Sequence, residues 1–157
     1  MLLFITFLLT TIFCYGYSLQ DNNLSSHLSA YAHIFPGTPN AVFIEKDGYQ
    51  IGFLSYPTNP KVNDFTLLNL NVQQNATDVS NTYASLIIMD KNKKEIVHQE
   101  PYKYYVFADM RYPYFFTNEG NYSLSLLTKI AGHEKYGDNP LIATFDLDTE
   151  NTENKQR

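Results

Sequence analysis

Residues 118–126 read Asn-Glu-Gly-Asn-Tyr-Ser-Leu-Ser-Leu, and few folds accommodate them. Asn118 and Gly120 signal a turn. After it, Tyr122, Leu124 and Leu126 fall on one face of a strand and Ser123 and Ser125 on the other. A glycine two residues before a strand-opening tyrosine is the pattern of a tyrosine corner in a Greek-key β-sandwich. The ring joins the core, and the hydroxyl bonds back to the backbone of the crossing loop.

The chain around this segment follows the same rule. Period-two alternation begins at Ala41, and residues 41–46 and 49–55 flank Asp47-Gly48, a two-residue hairpin turn. Residues 65–72 alternate around Leu68, Leu70 and Val72, and residues 83–89 form an apolar run suited to a central strand. A charged turn, residues 90–94, leads to a short strand at 95–99. The aromatic block between Pro101 and Phe116 is expected to hold strands near 104–108 and 114–117. Residues 122–130 follow the corner. Residues 131–140 form a loop, and residues 141–147 close the domain, with a polar tail from 149. Seven to nine short strands at this spacing, without helical periodicity, predict one all-β domain at residues 41–148: an immunoglobulin-like antiparallel β-sandwich.

The N-terminus carries an apolar run, residues 2–15, too short for a comfortable transmembrane helix and of the length of a signal-peptide core. Residues 1–18 are expected to be a signal segment, cleaved after Ser18 or kept as an anchor. This makes the chain exported: secreted or held at the cell envelope. Cys14 lies inside that run, so the mature chain would have no disulfide and no thiol nucleophile. Residues 19–40 form a lead-in broken by Pro36-Gly37-Thr38-Pro39. Asn23, Asn75 and Asn121 each begin an N-glycosylation acceptor pattern, with Asn75 in the most polar loop.

The net charge of −5 speaks against a nucleic-acid partner and against an anionic membrane surface, both of which need clustered lysine and arginine. Membrane attachment is expected only through an uncleaved signal segment. No nucleophile elbow or phosphate-cradling glycine loop is present. Glu45 and Asp47 read as surface charge. Among the four histidines, His27 and His33 would share one side of an extended lead-in and, with His133 or a methionine, suit a copper ion. The favoured reading is that they are ordinary polar residues of the lead-in. His98 is expected on the surface. Arg111 is a candidate to stack on Tyr112 or Tyr114, and the aromatic block itself is a candidate sugar- or protein-stacking surface.

Three features together resemble the small exported immunoglobulin-like domains of the YtkA-like or FixH-like kind. They are the strand Tyr49-Gln-Ile-Gly-Phe-Leu-Ser-Tyr-Pro57, the corner Gly120-x-Tyr122-x-Leu124, and the closing strand Pro140-Leu-Ile-Ala-Thr-Phe145. The wording also resembles uncharacterised secreted proteins of ammonia-oxidising archaea, which are rich in copper proteins. The resemblance implies an envelope sandwich over residues 41–148. The chain lacks a methionine- and histidine-rich tip motif, so a copper role does not carry over from it. The leading expectation is a non-enzymatic module that makes protein–protein contacts without a cofactor. The alternative is copper binding through His27 and His33.

Overall fold

The computed structural model describes residues 40–151, and every described strand is antiparallel to its neighbours. In chain order the strands are β1 (Val42–Lys46), β2 (Tyr49–Tyr56), β3 (Phe65–Gln74), β4 (Thr77–Asp78) and β5 (Ser80–Asp90). They continue as β6 (Glu95–Gln99), β7 (Lys103–Phe107), β8 (Asp109–Phe115), β9 (Gly120–Ile130) and β10 (Leu141–Thr149). One sheet runs β1-β2-β3, with β4 and β8 both on the far side of β3. The other runs β10-β9-β5, with β6 and β7 sharing the far side of β5. This is the two-sheet, immunoglobulin-like sandwich expected from the sequence. The signal segment, the lead-in, Asn23, His27 and His33 lie outside the described residues.

Alternation builds the core directly. Strand β10 is buried at every odd position from Leu141 to Thr149 and exposed at every even one. Ile51 and Phe53 of β2 face Val72 and Leu70 of β3 in register, Tyr49 pairs with Gln74, and Phe53 meets Phe145 of the opposite sheet at 5.3 Å. Leu86, Ile88, Leu124 and Leu126 complete the second inner face, all within 1% of full burial. Burying such side chains contributes about 1.5–3 kcal/mol each.

The corner forms as its sequence implied. Tyr122 is 3% exposed, its ring packs 4.8 Å from Phe116, and its hydroxyl donates to the Asn118 carbonyl at 2.8 Å. Gly120 adopts φ +141, a backbone that side-chain-bearing residues rarely enter.

Boundaries differ from the alternation in two places. The closing strand extends through Thr149, which is 6% exposed and pairs with Gly120, so the sheet runs one residue past the expected boundary at 148. Ten strands form among the described residues rather than seven to nine, because the polar connector after β3 contains the two-residue β4; the aromatic block also breaks at Ala108 rather than after it. That break has a structural cause. Chain segments β4–β5 and β7–β8 both switch sheets there, and three backbone hydrogen bonds close a triangle: Val79 N to Val72 O at 2.9 Å, Val72 N to Ala108 O at 2.9 Å and Ala108 N to Val79 O at 2.8 Å. Val72 and Ala108 are fully buried, so each amide there needs an internal partner.

Candidate functional site

The histidines come first. His133 lies in the loop after β9, where its Nδ1 accepts the backbone N–H groups of Lys135 at 3.2 Å and Tyr136 at 3.1 Å. Its ring stacks on Tyr136 at 5.3 Å and meets Tyr49 edge-on at 6.1 Å. Nδ1 is thus an acceptor, and the proton sits on Nε2. A metal on Nε2 would move that proton to Nδ1, against two N–H donors. His98 lies half-buried between the sheets, not free on the surface as expected. Its Nε2 is 3.1 Å from Glu100 and its ring 5.1 Å from Tyr114 of the other sheet. Among the described residues no three His, Cys, Asp or Glu side chains cluster as a metal site would require.

Asp47 takes part in a contact that local sequence gave no sign of. It opens the β1–β2 turn at φ 53, with Gly48 at φ 79, as a primed two-residue hairpin requires. Its Oδ2 accepts the Tyr136 hydroxyl and the Lys135 ammonium, the latter at 2.9 Å. The Tyr136 hydrogen bond, then Lys135, hold its carboxyl below the ordinary 3.8. The same contact raises the Tyr136 phenol and the Lys135 amine. The hairpin tip and the β9–β10 loop are thereby tied together at one end of the sandwich.

A second primed turn lies at that end. Asn75 and Ala76, at φ 52 and 58, join β3 to β4. Beside it is a groove of about 400 Å³, whose polar lining includes Gln74, Thr77, Ser80, Asn81 and His133, with the Tyr49 ring in its wall. Asp78 also lines it, but its Oδ1 already accepts the Gln73 amide at 2.9 Å.

The groove leads onto the outer face of the second sheet through Asn81, whose Oδ1 accepts the Tyr104 hydroxyl at 2.6 Å. The aromatic block divides here. Tyr105, Tyr112, Tyr114 and Phe116 turn inward, with the Tyr105 hydroxyl donating to that of Tyr112 at 3.3 Å. Burial, then that contact, pushes the Tyr112 phenol well up. Tyr102 and Tyr104 point outward and join Tyr83. The three are 42–52% exposed; the Tyr83 and Tyr104 rings lie 5.3 Å apart, and Lys129 Nζ sits 5.2 Å over Tyr102. Arg111 lies on the outer side of β8. It alternates with the inward tyrosines, and its Nη2 lies 3.6 Å from Asp109.

No family model and no curated protein matches the chain. Solved structures do. The soluble domain of PmoD from Methylocystis sp. ATCC 49242 (Rockwell) superposes with a TM-score of 0.52 at 13% identity, covering 69% of this chain and 96% of that one. The CARDB domain of a Pyrococcus furiosus protein, solved in complex with di-metal ions, gives a TM-score of 0.39 at 14% identity, covering 68% and 93%. At such identities the likeness to the first is one of fold: a small β-sandwich. No sequence family supports the narrower YtkA-like or FixH-like affiliation.

Tyr102 and Tyr104 belong to the aromatic block named from the sequence, although block composition does not say which rings point out; Tyr83 was missed because it stands in the apolar run of β5. The signal lay in position: Tyr83 and Tyr104 pair directly across β5 and β7. Asn75 and Asn121 are both exposed, so Asn121 is more accessible than its place beside the corner implied. Among the described residues no helix is long and apolar enough to cross a membrane.

Proposed function

We propose that the chain is a non-enzymatic, exported β-sandwich module that acts by protein–protein contact at the cell envelope, and that it docks a polypeptide partner on the outer face of β5 and β7. One observation carries this reading: the cluster of Tyr83, Tyr102 and Tyr104, half exposed on one sheet face. At about 150–250 Å² per ring, three half-exposed tyrosines present roughly 200–350 Å². The upper part of that range reaches the size of the largest apolar patch on a typical monomer, about 300–600 Å², which is often functional. Tyrosine is also the side chain enriched at the centres of protein interfaces, where it supplies area at low entropic cost.

The test is capture of an envelope or extracellular partner by the immobilised full chain, compared with a Tyr83→Ser, Tyr102→Ser double variant of unchanged melting temperature. The expected result is capture weakened about tenfold or more by the tyrosine variant, and unchanged in the control Glu119→Gln. Equal capture by both variants refutes the surface. Turnover on a hydrolase panel, abolished by a point substitution, refutes the non-enzymatic reading.

A further inference from the structure

The groove at the turn end is a different feature from the tyrosine face, and its chemistry selects a different ligand. It encloses about 400 Å³, within the range of small-molecule sites. Its walls are mixed: Tyr49, Val79, Ile130 and Ala131 supply apolar surface beside neutral polar groups. Gln74, Thr77, Ser80 and Asn81 contribute amides and hydroxyls, groups that both donate and accept. Among the described residues no lysine or arginine lines it, so a phosphate or carboxylate would find no counter-charge there. A cation would find one carboxylate, Asp78, with an oxygen already committed to Gln73. Ions of either sign are poor occupants. An uncharged ligand that combines hydroxyl-bearing edges with C–H-rich faces matches this mixed lining.

We infer that this groove binds a neutral oligosaccharide. The adjoining surface extends the match. Asn81 lines the groove and also accepts the Tyr104 hydroxyl, so the exit leads directly onto the Tyr104 and Tyr83 rings. A sugar unit has polar edges and a C–H-rich face. Its hydroxyls bond within the groove while the next unit lays its C–H face on an aromatic ring outside. The site is also held in shape. The primed turn at Asn75 and Ala76 fixes one wall, and the two backbone N–H bonds to His133 Nδ1 fix the other. Little ordering is therefore left for the ligand to impose.

The test is NMR titration of the full chain with two sets of fragments. The first is neutral: gluco-, manno-, galacto- and xylo-oligosaccharides. The second is charged: oligogalacturonate and heparin fragments. At least one neutral fragment is expected to shift backbone amides in residues 74–81 and 131–133. Gln74→Ala and Ser80→Ala, both at exposed positions, are each expected to weaken that binding about 3- to 10-fold through a lost neutral hydrogen bond. Thr77→Val supplies an independent third variant. Three results overturn the inference: no shift with any neutral fragment, shifts unaffected by all three substitutions, or binding confined to the charged fragments. The outcome is separable from that of the protein-contact proposal. The three groove variants leave Tyr83, Tyr102 and Tyr104 intact, so they should weaken the oligosaccharide and leave partner capture unchanged; the double tyrosine variant, which removes a ring used in both readings, serves only the protein-contact test.

Discussion

The Asn118 carbonyl is the point at which the corner can be tested most closely. It accepts the Tyr122 hydroxyl at 2.8 Å and also lies 3.1 Å from the hydroxyl of Thr149, at the end of β10. Two side chains from different strands thus satisfy one backbone oxygen. Tyr122→Phe keeps the ring against Phe116 and removes only the hydroxyl. The cost is one neutral hydrogen bond, about 0.5–1.5 kcal/mol, and it should fall at the lower end because Thr149 still satisfies the carbonyl. Thr149→Val should cost a similar amount for the mirrored reason, moderated by its second acceptor, Gly120 O at 3.3 Å. In the double variant no side chain serves the oxygen, so the losses should exceed their sum by roughly 0.5–1 kcal/mol. The assay is urea unfolding of all four proteins of the cycle, with the m-value checked for constancy. In thermal melts each kcal/mol corresponds to about 4 °C for a domain of this size. Strict additivity would show that the two hydroxyls do not share an acceptor in solution. An unchanged Tyr122→Phe midpoint would show that the corner bond contributes nothing.

Three further outcomes follow from the geometry. Leu124→Ala, at a fully buried position, should destabilise by about 2–5 kcal/mol in the same unfolding assay; a loss under about 1 kcal/mol would contradict the packing described. The Asp47 clamp should respond to acid. Because Tyr136 and Lys135 hold the folded carboxyl below the ordinary 3.8, its stabilisation is full above that value and is lost as pH falls through the folded pKa. Amide exchange at the hairpin tip should therefore accelerate below about pH 4 in the native protein and be pH-insensitive in Asp47→Asn, after correction for intrinsic rates; parallel profiles would refute the clamp. For copper, titration of the mature chain with Cu(I) and Cu(II) should give an affinity unchanged by His133→Asn, since Nδ1 already accepts two N–H bonds. Any affinity seen should vanish in the His27→Ala, His33→Ala variant; an affinity that depends on His133 would show that the loop rearranges to bind.

The parts of the fold that were legible are those written in short-range pattern. Alternation around Leu68, Leu70 and Val72 placed β3, Asp47-Gly48 placed the first hairpin, and Gly120-x-Tyr122 placed the corner, because each depends on neighbours within a few residues. The features that were not legible depend on partners far away. Asp47 read as surface charge because its partner, Tyr136, is 89 positions distant. The break at Ala108 was misplaced because no residue there disfavours a strand; the chain turns because Val72 and Val79 supply its hydrogen bonds. That break also decides which tyrosines of the block face water. Of the candidate sites, the groove was hidden for the same reason. Its walls come from β3–β4 and from the loop after β9, and each reads alone as an ordinary polar turn.

The hydrogen-bond triangle at Val72, Val79 and Ala108 makes the sandwich behave like a bound book. Along that spine the two sheets are joined through backbone. On the opposite side, at β1 and β10, a long-range polar tie is the Lys46 ammonium on the Ile142 carbonyl at 3.0 Å, a side-chain clasp at an exposed position. That side is tied by backbone as well, since Glu150 N donates to Pro60 O and Val62 N to Glu150 O, both at 3.1 Å, and the Asp47 clamp adds a further tie between the first hairpin and the β9–β10 loop. The tyrosine face, carried by β5 and β7 beside the spine, therefore rests on a sandwich closed along both sides.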